Sequence, residues 1–150
     1  MDSLPTTEKI EAGKLKIGSL LMQNDKPCKV VKTSKAKPGK HGSAKAIIVA
    51  VGLLDDKKSE QSYGTSDMID APIVVRIEYP LLGLEGGFMQ LQREDGTLKE
   101  DVKFSTQKSL EDVNKNIQKF IDDDIPALVT VMRVCGEEFP VSVREDNTEI

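Results

Sequence analysis

The sequence predicts a mainly β protein of two small domains, the second suited to a barrel of the OB type. Three observations carry this expectation. Short runs rich in β-branched residues recur along the chain, each bounded by Asn, Asp, Gly or Pro. Only one segment has helical periodicity. The charge balance also reverses near residue 78, where a Pro- and Gly-rich stretch begins. Residues 1–77 hold 13 Lys and Arg against 9 Asp and Glu, whereas residues 78–150 hold 8 against 16. Residues 1–12, polar and without periodicity, are expected to form a flexible N-terminal tail. The two domains are expected to span 13–77 and 78–150.

The elements follow in order. "LKIGSLLMQNDKPCKVVKTS" gives two strands separated by the turn residues Asn24, Asp25 and Pro27. "AIIVAVGLL", Ala46 to Leu54, reads as a buried strand, and the lysine-rich stretch before it becomes a hairpin tip. "APIVVRIEY" is expected to be one strand, entered through Pro72. "FMQLQ" and "TLKEDVKF" are joined by "REDG", whose Asp-Gly is a hairpin-turn signal. In the second of these runs Leu98, Val102 and Phe104 share one parity, as a half-buried strand requires.

"SLEDVNKNIQKFI" is the helix. Ser109 and Asp112 have the spacing of a capping box, and Val113, Ile117, Phe120 and Ile121 form one apolar stripe. Asp122 to Asp124 and Pro126 end it. "ALVTVMRV" and "FPVSVR", turned at "CGEE", complete the sheet. Four or five strands with a helix before the last pair is an order that suits an OB barrel.

Composition excludes several classes. No apolar run approaches the ~20 residues that cross a bilayer. The N-terminus lacks a secretory pattern, and Cys28 and Cys135 share no CxxC spacing. A reduced, cytoplasmic protein without a membrane anchor is expected. His41 is the sole histidine, so neither a catalytic triad nor a zinc site can be assembled by any recognisable spacing. No catalytic residue, metal or cofactor is expected.

The informative segment is Lys26 to Lys45, which holds seven lysines and no acid. Its centre is "KPGKHGSAK", Lys37 to Lys45. Lysines along a hairpin would contact phosphates as point charges, giving salt-dependent affinity with little base readout. Arginine is absent from residues 1–75, and Phe88 and Phe104 are the only candidate stacking platforms, each with a core role to weigh against it. Gly39 and Gly42 flank Lys40 and His41. Spacing alone leaves two readings open: turn glycines required by hairpin geometry, or clearance that lets another molecule approach the backbone.

"GKHGSAK", Gly39 to Lys45, resembles the modification loop of the eukaryotic and archaeal translation initiation factor 5A family. "KPCKVV", Lys26 to Val31, resembles the strand leading to that loop, and "DGTLKEDV", Asp95 to Val102, resembles a segment of its second domain. The similarity covers about residues 13–145.

The resemblance implies an SH3-like barrel carrying the loop, followed by an OB-fold domain. It implies that Lys40 is converted to hypusine, with Pro38, Gly39, His41, Gly42 and Ser43 forming the recognition loop. Lys35, Lys37 and Lys45 would be the RNA or phosphate contacts. Deoxyhypusine synthase, using NAD, transfers an aminobutyl group from spermidine, and deoxyhypusine hydroxylase follows in eukaryotes. The implied partners are the ribosome, through ribosomal RNA, and peptidyl-tRNA. The implied role is relief of stalling, notably at consecutive prolines, and assistance in elongation and termination. Ser43 stands where eukaryotic members often have histidine and archaeal ones serine. The alternative is a general RNA-binding protein using an unmodified lysine-rich hairpin.

Overall fold

The computed structural model describes residues 7–36 and 44–147. Among these, strands dominate and a single α-helix is present. The chain divides into two compact units between Ile73 and Val74. That point lies before the expected boundary at 77/78, through which one strand (β7, Val75–Glu85) runs unbroken.

The first unit contains a four-stranded antiparallel sheet in the order β2 (Leu20–Gln23), β3 (Lys26–Ala36), β4 (Lys45–Gly52) and β5 (Lys58–Gly64). Asn24 and Asp25, both at positive φ (55° and 61°), make the two-residue turn between β2 and β3. That conformation matches the right-handed twist of the paired strands, and Asn and Asp tolerate it best after glycine. Alternate residues of β4 point inward, so Ala46, Ile48 and Ala50 are buried together with Leu21, Cys28 and Val30. Removing a side chain such as Ile48 from water contributes about 1.5–3 kcal/mol.

The sheet edges β2 and β5 are linked by side chains. Buried Gln23 donates from Nε2 to Ser59 Oγ at 2.8 Å, and its Oε1 accepts from the Tyr63 hydroxyl at 2.9 Å. A buried amide needs such partners, so this network closes the small barrel.

The expectation of a tail through residue 12 is corrected. Thr7–Glu11 is a strand, β1, paired antiparallel with β6 (Met68–Pro72), and Ile10 lies opposite Ile69. Ala12 is buried, its N–H donating to Asp67 O at 2.9 Å. Polar "TEKIE" hides this because a two-stranded ribbon needs few inward apolar residues. The single strand expected over "APIVVRIEY" is also corrected, since it divides into β6 and β7.

The second unit holds β7, β8 (Phe88–Gln92), β9 (Leu98–Lys103), α1 (Glu111–Asp122), β10 (Ala127–Val134) and β11 (Glu137–Glu145). Sheet order is β11-β10-β7-β8-β9, with α1 inserted between β9 and β10. This is an OB arrangement. Gly86 and Gly87, at φ 60° and 86°, form the β7–β8 turn, so "PLLGLEGG" is strand and hairpin rather than linker. A register shift between Leu81 and Gly83 leaves Leu82 outside, 54% exposed.

Two local expectations fail for identifiable reasons. The parity of β9 is broken by a register shift opposite Met89 and Leu91, so Lys99 and Val102 are buried and Leu98 is exposed. The bulge adds one residue to β9 and flips the faces. The start of the helix also differs from the expectation: Ser109 lies within a 3₁₀ turn, Lys108–Leu110, and the N-cap of α1 is Leu110, without a side-chain cap. The Ser105 carbonyl accepts from Asn114 Nδ2 at 2.8 Å. Val113, Ile117 and Ile121 pack on the core as the stripe requires.

Candidate functional site

The lysine-rich hairpin is built by β3 and β4, whose last paired residues are Ala36 and Lys45. Lys37, Pro38, Gly39, Lys40, His41, Gly42 and Ser43, the expected modification site and most of its loop, lie outside the described residues. The structure therefore describes the root from which that loop departs.

The root is held on its β5 side. Lys45 pairs with Gly64, Ala46 with Tyr63, and Thr65 N donates to Ala44 O at 3.1 Å. Thr65 is itself fixed from below, because its carbonyl accepts from Gly13 N at 2.8 Å. A side chain on Gly13 would meet Thr65 O at 2.9 Å and Thr65 Cβ at 3.1 Å. The residue must be glycine for the backbones to approach this closely.

Lys35 and Lys45 are both exposed, but the ladder puts them on opposite faces of the hairpin. Lys35 lies opposite Ala46, which is buried, and so continues the inward-facing row. Lys45 belongs to the outward row of Ile47, Val49 and Val51. A register shift between Val30 and Lys32 brings Lys29, opposite Val51, and Lys32, opposite Val49, onto that same outward row. Three-residue spacing would otherwise scatter them between faces. Nothing in "KVVK" signals this pair, since regular alternation would put its two lysines on opposite faces.

Lys26 is committed elsewhere. Its Nζ lies 2.8 Å from Asp55 Oδ2, and that contact raises the lysine pKa and lowers the carboxyl pKa. Asp55 Oδ1 also accepts from Lys57 N at 3.0 Å. Cys28 is buried, and burial pushes its thiol pKa up, the wrong direction for a reactive thiolate. Phe104 packs against the second core, and the Lys103 ammonium sits 4.7 Å from the Phe88 ring centroid. Neither ring is a free stacking platform. Among the described residues no group of three or more His, Cys, Asp or Glu is arranged to hold a metal ion.

Residues 5–67 match the family model described as translation initiation factor 5A-like, N-terminal. Residues 73–144 match that described as eukaryotic elongation factor 5A hypusine, DNA-binding OB fold. Eukaryotic translation initiation factor 5A-1 of Saccharomyces cerevisiae is 33% identical over 139 residues, covering 93% of this chain and 86% of that protein. The chain belongs to the translation initiation factor 5A family. A second relative of this factor 5A chain, factor 5A-3 of Arabidopsis thaliana, is 35% identical over 136 residues, 90% of this chain and 84% of that protein.

Solved structures agree with the factor 5A assignment. A translation initiation factor of this family from Naegleria fowleri superposes with a TM-score of 0.85 at 31% identity, covering 93% of this chain and 99% of that one. The Methanococcus jannaschii factor 5A gives 0.71 at 26% identity, over 96% and 99%. Two barrels, the second an OB fold, are thus the factor 5A architecture.

Proposed function

We propose that this chain is a hypusine-containing translation factor. Lys40 is the lysine modified by deoxyhypusine synthase, with the aminobutyl group drawn from spermidine and hydroxylation by deoxyhypusine hydroxylase following. The modified hairpin enters the ribosome beside peptidyl-tRNA, where it promotes peptide-bond formation at stalling sequences such as polyproline and assists elongation and termination. The observation that carries this reading is family membership combined with "GKHGSAK" at the end of the β3–β4 hairpin.

The physical chemistry is consistent with the reading. A lysine flanked by glycines offers clearance to two successive partners, a modifying enzyme and then a ribosomal crevice. The added chain extends its reach and supplies a second amine. Such a factor acts by positioning, lowering the entropic cost of aligning the reacting groups without contributing a catalytic side chain. Lys35 and Lys45, on opposite faces of the root, would meet phosphates on both sides of the inserted hairpin, and Lys37 would add a third contact.

Lys40→Arg tests it directly. Arginine keeps the positive charge but cannot accept the aminobutyl group. The substitution should abolish rescue of polyproline synthesis in a reconstituted system supplied with modified protein. Full rescue by Lys40→Arg would instead favour an electrostatic RNA binder that uses the hairpin unmodified.

A further inference from the structure

Two of the four arginines of the chain converge on one end of the OB barrel. The inward row of β7 (Val75, Ile77, Tyr79) and Val131 of β10 wall a cavity of about 180 Å³ there. Arg93, at the end of β8, and Arg133, opposite Val75 and Glu138 in the ladders, stand at its rim. This local cationic pair is hidden by the acidic balance of residues 78–150.

The charges at the mouth are not all available. Lys99 also lines the cavity, but its Nζ is bound by Asp101 Oδ1 at 2.9 Å and Glu138 Oε1 at 3.2 Å. Arg93 donates from Nη1 to Leu98 O and Thr97 Oγ1. That tether occupies Nη1 and holds the guanidinium at the strand end. No ion pair reaches Arg133 among the described residues. The mouth therefore presents one tethered guanidinium and one without an ion-pair partner, beside an apolar strip of Val75, Ile77, Tyr79 and Val131 and the Lys99–Glu138 pair that also line it. Ile77 is 43% exposed on that strip, an unusual state for an inward strand position.

We propose that this barrel mouth binds a phosphate ester, with the two guanidinium groups on the phosphate and the apolar wall against the attached sugar. Guanidinium forks match phosphate oxygens in pairs, which an ammonium cannot do. The volume sets the ligand's size. Pockets for drug-sized ligands measure about 300–1,000 Å³, so this smaller cavity suits a group the size of a sugar phosphate. The phosphate has two possible sources, a free phosphomonoester or the backbone of single-stranded RNA. The site lies within the second unit and does not involve Lys40.

The experiment uses the full chain and follows the arginine Nε–Hε resonances by ¹H–¹⁵N NMR at about 50 mM salt. Ribose 5-phosphate and a ten-residue oligouridylate are titrated separately, to on the order of 10 mM for the weaker ligand. The expected result is movement of the Arg93 and Arg133 signals, with affinity falling roughly tenfold or more in Arg133→Gln and less in Arg133→Lys. Arg76→Gln, which alters an exposed arginine on the opposite face of β7, should bind as wild type. Movement with both ligands identifies a site open to free esters. Movement with RNA alone, equally lost in Arg133→Gln, identifies the polymer backbone as the source. Silence with both ligands overturns the proposal. So does binding that Arg133→Gln leaves intact or that Arg76→Gln weakens equally.

Discussion

Lys99 Nζ lies 3.2 Å from Glu138 Oε1, joining β9 to β11, the two edges of the five-stranded sheet. The Lys99 side chain is only 9% exposed, and Asp101 Oδ1 supplies a second carboxylate oxygen at 2.9 Å. The ammonium thus stands where a backbone ladder would otherwise close the barrel. Gln23 has the corresponding position in the first unit, joining β2 to β5 through Ser59 and Tyr63. Each unit is closed by a buried polar side chain at an edge.

Lys99→Met should destabilise the second unit by about 1–2 kcal/mol at neutral pH, because the two remaining carboxylates lose their partner but keep some water. Burial alone would lower the Lys99 pKa, yet hydrogen bonds to Asp101 and Glu138 outweigh it and raise the value above 10.5. The Lys99 contribution is therefore complete below its ordinary value and lost as pH rises through the raised one. Asp101 is shifted down from 3.8, chiefly by its hydrogen bond from Lys99. Its contribution is complete above its ordinary value and lost as pH falls through the depressed one. Urea melts of wild type and variant should differ most between these limits and converge in acid. A constant difference down to about pH 2 would contradict the assignment.

Gly13→Ala should lower stability by about 1–3 kcal/mol, because the new Cβ must push against backbone at Thr65 and not against a flexible side-chain end. An unchanged urea midpoint would show that the 3₁₀ turn Ala12–Lys14 yields freely and that the loop root is not held from below.

Lys35→Gln and Lys45→Gln should each weaken binding to the ribosome and each reduce the salt slope by roughly one. Their effects should add, since the two lysines lie on opposite faces of the hairpin. Loss confined to Lys45→Gln, with Lys35→Gln silent, would mean that only the outward row of Lys29, Lys32 and Lys45 meets phosphate.

Much of this architecture was legible in the chain because turn chemistry and strand composition agreed. Asn24-Asp25, Asp95-Gly96 and Cys135-Gly136 each mark an observed turn, and each has at least one residue at positive φ. Strands β1 and β5 were missed for one shared reason. "TEKIE" and "KSEQSYG" lie at sheet or ribbon edges and turn few apolar residues inward, so periodicity has little to register. The buried state of Lys99 and the common face of Lys29 and Lys32 depend on bulges, which insert one residue and leave no compositional mark. Lys40 is the opposite case. A motif names it, while its surroundings fall outside the described residues, and only its root at Ala36, Ala44 and Lys45 has a structural account.

Whether the side-chain nitrogen of Lys40 carries the modification is read by peptide mass spectrometry across residues 37–45 of protein from the native organism. Material made in bacteria does not serve, because the modifying enzymes are expected to be missing there. The expected result is a mass increase of one hydroxylated aminobutyl group, localised to Lys40 by fragment ions. Native, active protein carrying unmodified Lys40 would contradict it.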